Sequence, residues 1–160
     1  RGYAFLKEGN IGAAKAILDS LQDLTKTTAA RFRFHDGKDI VGAMAGILEG
    51  EIAWSEGKME AAVDAFKKST SFYENLNYDE PEPLPFSPRH WLGAAYMEIG
   101  AYSNALEEYK KDLTEHPHNL WALWGVKEAL TKLDSSDPEI ERELKAALSI
   151  ADIWLPNTKL

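Results

Sequence analysis

The stretch Gly100-Ala-Tyr-Ser-Asn-Ala105-Leu-Glu-Glu-Tyr109 decides the fold, because its pattern of glycine, alanine and a large side chain occurs three times. The alanine follows the glycine after five residues, and the large residue follows the alanine after four. The other copies are Gly9, Ala14 and Leu18, and Gly57, Ala62 and Phe66. A glycine that ends one helix, followed by a small and a large residue one turn apart in the next, is typical of stacked antiparallel helix pairs. Such arrays bind other molecules and seldom catalyse reactions.

Composition excludes several classes of function. The chain has 160 residues, 44% of them hydrophobic, which is enough for the core of one domain. Its net charge is −8 and no basic stripe is interleaved with aromatic residues, so we predict no nucleic-acid partner. The absence of cysteine excludes disulfides, thiolate metal sites and cysteine catalysis. No apolar run approaches the roughly 20 residues that span a bilayer. The compartment stays open: cytoplasmic, or periplasmic or secreted if a signal peptide was removed upstream.

The spacing of apolar residues predicts an all-α chain with no strand. Expected helices cover about 1–8, 11–25, 39–56, 59–76, 88–99, 102–115 and 120–133, and a last one runs from 138 until Pro156. Thr25 to Asp39 is expected to be a connector whose Phe32 and Phe34 turn into the core. Asn77 to Pro88 holds four prolines in eight residues, which predicts a stiff extended loop. Because the first residues read as the second half of a helix, we expect a C-terminal fragment of a longer protein.

The segment from Ser87 to Asn119 resembles a tetratricopeptide repeat. The matching residues are Leu92, Gly93, Tyr96, Gly100, Tyr102, Ala105, Tyr109 and Pro117. A second copy covers about 43–76, and we place the repeats of a single domain at about 1–25, 39–76, 87–119 and 120–154. The resemblance implies a right-handed superhelical stack of antiparallel helix pairs, an α-α solenoid. The array is irregular, because the copies are 48 and 43 residues apart and Asp134 replaces the last turn glycine.

A narrower resemblance is carried by the loop Tyr78-Asp79-Glu80-Pro81 and by Ser87-Pro88-Arg89. These residues resemble the C-terminal part of a bacterial tetratricopeptide repeat family that has a Tyr-Asp-Glu-Pro-Pro loop and no assigned activity. This resemblance sharpens the expected architecture and says little about function.

The acidic loop is the first candidate binding site. Its residues are Tyr78, Asp79, Glu80 and Glu82, with Arg89 nearby. The carboxylates suit a basic peptide or a hard cation, and the alternative is a solvated loop that Asp79 or Glu80 ties to Arg89 or to a neighbouring backbone amide. The spacing is not that of a calcium-binding EF-hand, so we predict no metal site. Tyr78 would form an aromatic wall of a ligand pocket.

Aromatic residues in the first helix of each pair are the second candidate. By repeat position, Trp54, His90, Trp121 and Trp124 fall near the concave surface, where partly exposed aromatic side chains would anchor a partner. Trp91 is expected in the core. The alternative is that the large tryptophans fill space between irregular repeats.

We predict a non-catalytic scaffold that binds a protein or a peptide on the concave face of its helix pairs. The sequence has no Ser/His/Asp order, glycine-rich phosphate loop or His-Glu-x-x-His motif, so no catalytic residue and no cofactor are expected. Two alternatives stay open. One is an accessory or capping domain of an enzyme whose reacting residues lie upstream. The other is self-association as a homodimer through the open N-terminal end.

Overall fold

The computed structural model describes residues 1–151, which contain eight helices. The helices are α1 (Gly2–Lys7), α2 (Ile11–Thr27), α3 (Gly37–Ser55), α4 (Met59–Tyr73), α5 (Arg89–Glu98), α6 (Tyr102–Glu115), α7 (Leu120–Lys132) and α8 (Pro138–Ile150). Short turns join the members of each consecutive pair, as in helical hairpins. The predicted fold class, an all-α helix-pair solenoid, is confirmed. The expected end of the last helix at Pro156 lies outside the described residues.

The chain divides into two compact units, Arg1–Pro88 and a second that begins at Arg89. In the first unit, α2 and α3 share a core that is built around Ala14, Leu18 and Leu48. In the second unit, Tyr109 of α6 and Val126 of α7 belong to one core cluster. Each unit therefore has an apolar core of its own.

Glycine ends the first helix of three pairs in the left-handed conformation that the repeated pattern requires. Gly9, Gly57 and Gly100 have φ angles of 77°, 74° and 76°. Asp134 takes the same position after α7 with φ 51°, and the next amide, that of Ser135, donates to the Leu130 carbonyl at 2.9 Å. An aspartate therefore ends α7 in the manner of the glycines, at the steric cost that a Cβ brings in this region.

The alanine and the large residue of the pattern form the centre of the packing. Ala62 and Ala105 are 0% exposed, as are Phe66 and Tyr109. The aromatic rings pack against glycines of the neighbouring helices, because a Cβ on Gly50 would lie 2.2 Å from the Phe66 ring. The small residues of α3 and α5 thus let the helix pairs close on an aromatic side chain.

The connector between α2 and α3 departs from the prediction. It contains two short antiparallel strands, β1 (Arg31–Phe32) and β2 (His35–Asp36), which pair Phe32 with His35. Arg33 has φ 53° in the turn between them. The expectation that Phe32 and Phe34 turn into the core is wrong, because these side chains are 54% and 60% exposed. His35, which is 2% exposed, is buried instead.

Candidate functional site

A groove lies between α2, α3 and α4, wholly within the first unit. Its volume is about 270 Å³. Its floor consists of small residues of α3 and one aromatic ring of α4: Gly42, Ala45, Gly46 and Phe72. The helices approach closely here, because a Cβ on Gly46 would lie 2.7 Å from the Ser69 Cβ atom. Ser69 donates to the Ala43 carbonyl at 2.6 Å and fixes α4 against α3.

The rim of the groove is polar. It is formed by Gln22, Thr25 and Lys26 of α2, Glu49 of α3 and Lys68 of α4. Glu49 accepts from the Gln22 amide at 3.2 Å and pairs with Lys68 at 3.7 Å. The lysine side chain is 56% exposed, so this ion pair is weak and free to exchange for contacts with a partner. An apolar floor with a polar rim is the usual anatomy of a binding surface.

The acidic loop is tied to the β1–β2 hairpin through Asp79. This side chain is 3% exposed, and its Oδ2 atom lies 2.9 Å from Arg33 Nη1 and 3.3 Å from His35 Nε2. Its Oδ1 atom accepts from the Glu80 amide at 3.0 Å. The predicted tie of Asp79 or Glu80 to Arg89 or to a neighbouring backbone amide is therefore confirmed through the Glu80 amide, and neither Asp79 nor Glu80 pairs with Arg89. The sequence could not show that the exposed Arg33 and the buried His35, far away along the chain, supply the partners of Asp79.

Tyr78 and Glu80 form the exposed part of the loop. Tyr78 is 82% exposed, and its hydroxyl donates to the Glu80 carboxylate. That hydrogen bond is the main reason why the pKa of Tyr78 is raised above 10. The Tyr73 hydroxyl donates to Glu82 at 3.2 Å. Exposed aromatic and acidic groups are thus held together at the surface.

Arg89 belongs to the second unit and pairs with carboxylates of α6. Its side chain is 5% exposed and lies 2.7 Å from Glu108 and 3.8 Å from Glu115. Nearly complete burial weighs against direct contact with a ligand, and the assignment of Arg89 as a binding residue stays a prediction. The arginine joins the start of α5 to α6.

His90 is also buried, which corrects its predicted place on an exposed binding surface. Its Nε2 atom lies 3.0 Å from the Oδ2 atom of Asp112, which is 0% exposed. Asp112 also pairs with His116 at 3.1 Å and accepts from the Asn119 amide at 3.1 Å. Asn119 in turn accepts from the Trp121 backbone amide at 3.0 Å, as the cap of α7. This polar network joins α5, α6 and the start of α7.

The three tryptophans of the second candidate are neither buried nor fully exposed. Trp54 lies in the first unit, 6.4 Å from the Phe66 ring between centroids, and the other two lie on α7. The Lys127 ammonium is 5.3 Å from the centre of the Trp124 ring. Partial exposure of Trp54, Trp121 and Trp124 agrees with the prediction, and their use as anchors stays a prediction. Trp91 is 2% exposed, as expected of a core residue.

Within residues 1–151, no group of three or more histidine, aspartate and glutamate side chains is arranged to hold a metal ion. No helix within the same range is long and apolar enough to cross a membrane.

Comparison with known proteins identifies the repeat. Residues 47–76, which include the second half of α3 and all of α4, match the family model of the tetratricopeptide repeat. Residues 47–76 thus contain a tetratricopeptide repeat. The match falls on the second copy found in the sequence, and it includes Glu49, Lys68 and Phe72 of the groove.

Two solved structures have a fold similar to that of this chain. One is titled "Crystal structure of MamA" and is 20% identical, with a TM-score of 0.61 over 92% of this chain and 72% of that chain. A second, "Crystal structure of MamA protein", is 20% identical with a TM-score of 0.59, over 92% of this chain and 68% of that one. No curated protein matches the sequence. The narrower resemblance to a bacterial family stays a prediction.

Sequence reasoning missed the groove although its signal was present. The spacing of Gly42, Ala45, Gly46 and Glu49 places small residues and one carboxylate on adjoining turns of α3. The same small residues also explain close helix packing, so the pattern alone does not separate a groove from a helix contact.

Proposed function

We propose that this chain is a non-catalytic scaffold that binds a segment of a partner protein in the groove between α2, α3 and α4. The observation that carries the proposal is the groove itself. It has a volume of about 270 Å³, an apolar floor, and a rim that contains both lysine and glutamate side chains. This volume is slightly below the roughly 300–1,000 Å³ of small-molecule pockets. It suits one or two apolar side chains of a peptide better than a whole metabolite.

The rim supports a peptide ligand through its polar groups. Lys26 of α2 and Lys68 of α4 line the groove and are exposed, and Glu49 of α3 lines it with 37% exposure. A peptide backbone and its polar side chains could exchange with the Gln22–Glu49 and Lys68–Glu49 contacts across the floor. Such polar contacts fix orientation, while burial of apolar side chains on Ala45 and Phe72 would supply most of the affinity.

The test fills the groove without changing the core. Thr25 lines the groove on α2 and donates to the Leu21 carbonyl at 2.8 Å. Ser20 lies on the same helix outside the groove and makes the same kind of bond, to the Ala16 carbonyl at 2.9 Å. Thr25→Trp would occupy the groove, and Ser20→Trp is the matched control.

Tagged wild-type chain and both variants are used to capture proteins from a lysate of the source cells, and bound proteins are quantified by mass spectrometry. We expect a partner that is retained by wild type and Ser20→Trp and lost with Thr25→Trp. The purified partner must then bind wild type and Ser20→Trp more tightly than it binds Thr25→Trp. Partners that bind all three chains equally would refute the groove as the binding site.

A further inference from the structure

Two segments of the first unit carry three large aromatic side chains that are exposed to solvent. Phe32 and Phe34 of the β1–β2 connector are 54% and 60% exposed, and Tyr78 of the acidic loop is 82% exposed. The fold has ample capacity to bury aromatic rings, since Phe66 is 0% exposed. Aromatic side chains that stay exposed together are enriched at interaction surfaces, where they anchor a partner.

The two segments are fixed to one another, so the aromatic residues belong to one structure. Asp79 holds Arg33 at 2.9 Å and His35 at 3.3 Å. The Asn77 amide donates to the Phe34 carbonyl at 3.3 Å, and Arg33 donates to the Glu80 carbonyl at 3.3 Å. We call residues 31–36 with 77–80 the hairpin–loop platform. Because the backbone of the platform is already fixed, less conformational entropy would be lost when a partner binds to the aromatic side chains.

The charges of the platform favour a basic partner. Its arginines are already paired, Arg31 with Asp36 at 3.3 Å and Arg33 with Asp79. Glu80 is exposed beside the Tyr78 ring, and the chain as a whole carries a net charge of −8. The Arg33 guanidinium lies 5.7 Å from the centre of the Phe34 ring, so a ring of the platform already accepts a cation. A second copy of this chain would bring the same net negative charge and is disfavoured.

We propose that the hairpin–loop platform docks a segment of a partner protein that carries lysine or arginine beside apolar side chains. The apolar side chains would contact Phe32 and Phe34. The cations would lie at Tyr78 and Glu80, where ring and carboxylate attract the same charge. The platform shares no residue with the α2–α4 groove and would give the scaffold a second binding surface.

The experiment is a selection from a displayed library of random 12-residue peptides on the intact chain, counter-selected on the variant Phe32→Ala/Phe34→Ala/Tyr78→Ala. Selected peptides are then synthesised and titrated. We expect sequences that combine basic and apolar residues, that lose at least tenfold in affinity on the triple variant, and that bind more weakly as salt is raised. The matched control, Met44→Ala/Ile99→Ala, removes side chains that are 42% and 45% exposed elsewhere and should leave the affinity unchanged.

A second variant separates charge from folding. Glu80→Gln/Glu82→Gln keeps every aromatic ring and should weaken the selected basic peptides at least threefold. Acidic selected peptides would overturn the proposal, as would equal affinity for wild type and the triple variant, or no loss with Glu80→Gln/Glu82→Gln. Thr25→Trp should leave this binding intact, so failure of the platform and failure of the groove are distinguishable.

Discussion

The Nε2 atom of His35 lies 3.3 Å from the Oδ2 atom of Asp79, and both side chains are buried although 44 residues separate them. This pair joins the connector between α2 and α3 to the proline-rich loop after α4. The buried Asp79 carboxylate pairs with Arg33 and His35 of the connector and so holds both segments in place. Removal of this carboxylate should therefore destabilise both segments.

Asp79→Ala should lower the free energy of unfolding by about 1–3 kcal/mol, because it leaves the buried His35 without its partner. Urea unfolding measures the loss, and hydrogen exchange should show faster exchange at residues 31–36. The control is Asp23→Ala, which removes a surface pair of 3.8 Å with Lys26 and should change almost nothing. Equal stability of the two variants would show that the Asp79 network does not stabilise the fold.

Asp134→Gly should raise the free energy of unfolding by about 1 kcal/mol. Asp134 adopts φ 51°, where a Cβ is strained and glycine is not. Thermal unfolding checks the direction, and Gly100→Asp, at the equivalent position with φ 76°, should lower the melting temperature. A drop in stability for Asp134→Gly would mean that the aspartate side chain contributes more than its backbone strain costs.

Gly93→Ala should destabilise the second unit by about 1–3 kcal/mol, because the new Cβ would lie 2.4 Å from the Tyr109 ring in a close-packed core. The control is Gly12→Ala in α2, where the nearest atom, of Asn10, is 3.9 Å away. There the change should be neutral or stabilising, because alanine favours helix. Urea unfolding of both variants gives the comparison, and similar losses in both would contradict this description of the core.

Glu56 should make stability depend on acid pH. Hydrogen bonds from Lys15 and then Lys58 lower the pKa of Glu56 from 4.5 to about 2. A carboxylate whose pKa is lowered by folding stabilises the native state above pH 4.5, and this contribution is lost as the pH falls towards 2. The stability difference between wild type and Glu56→Gln should therefore be constant near neutral pH and shrink between pH 4.5 and 2.

Urea titrations across that pH range test the sign. Lys15→Met removes the largest cause of the shift and should flatten the dependence. A difference that grows on acidification would contradict the lowered pKa.

The helices could be predicted from the sequence because local signals agree with the packing. Gly9, Gly57 and Gly100 end helices as predicted, and the alanine and the large residue that follow each of them are buried. At the end of α7 the sequence departs from the repeat pattern, because Asp134 replaces the turn glycine. In the structure this aspartate has the same left-handed conformation as the glycines. These features depend on residues that are close together in the chain, so a single sequence was enough to predict them.

The candidate site was less predictable, because it depends on contacts between distant segments. Asp79 was expected near Arg89, its neighbour in sequence, yet it pairs with Arg33 and His35 across the connector. The strands β1 and β2 contain two residues each, too short to show an alternating pattern. His90 was placed on a binding surface by repeat position, and only the structure shows Asp112 as its buried partner.

The central claim is that the α2–α4 groove binds a partner segment, and calorimetric titration of a purified captured partner tests it most directly. Wild type and Ser20→Trp should bind with equal affinity, and Thr25→Trp should bind at least tenfold more weakly while its circular dichroism stays that of the wild type. Equal affinity of all three chains would contradict the claim.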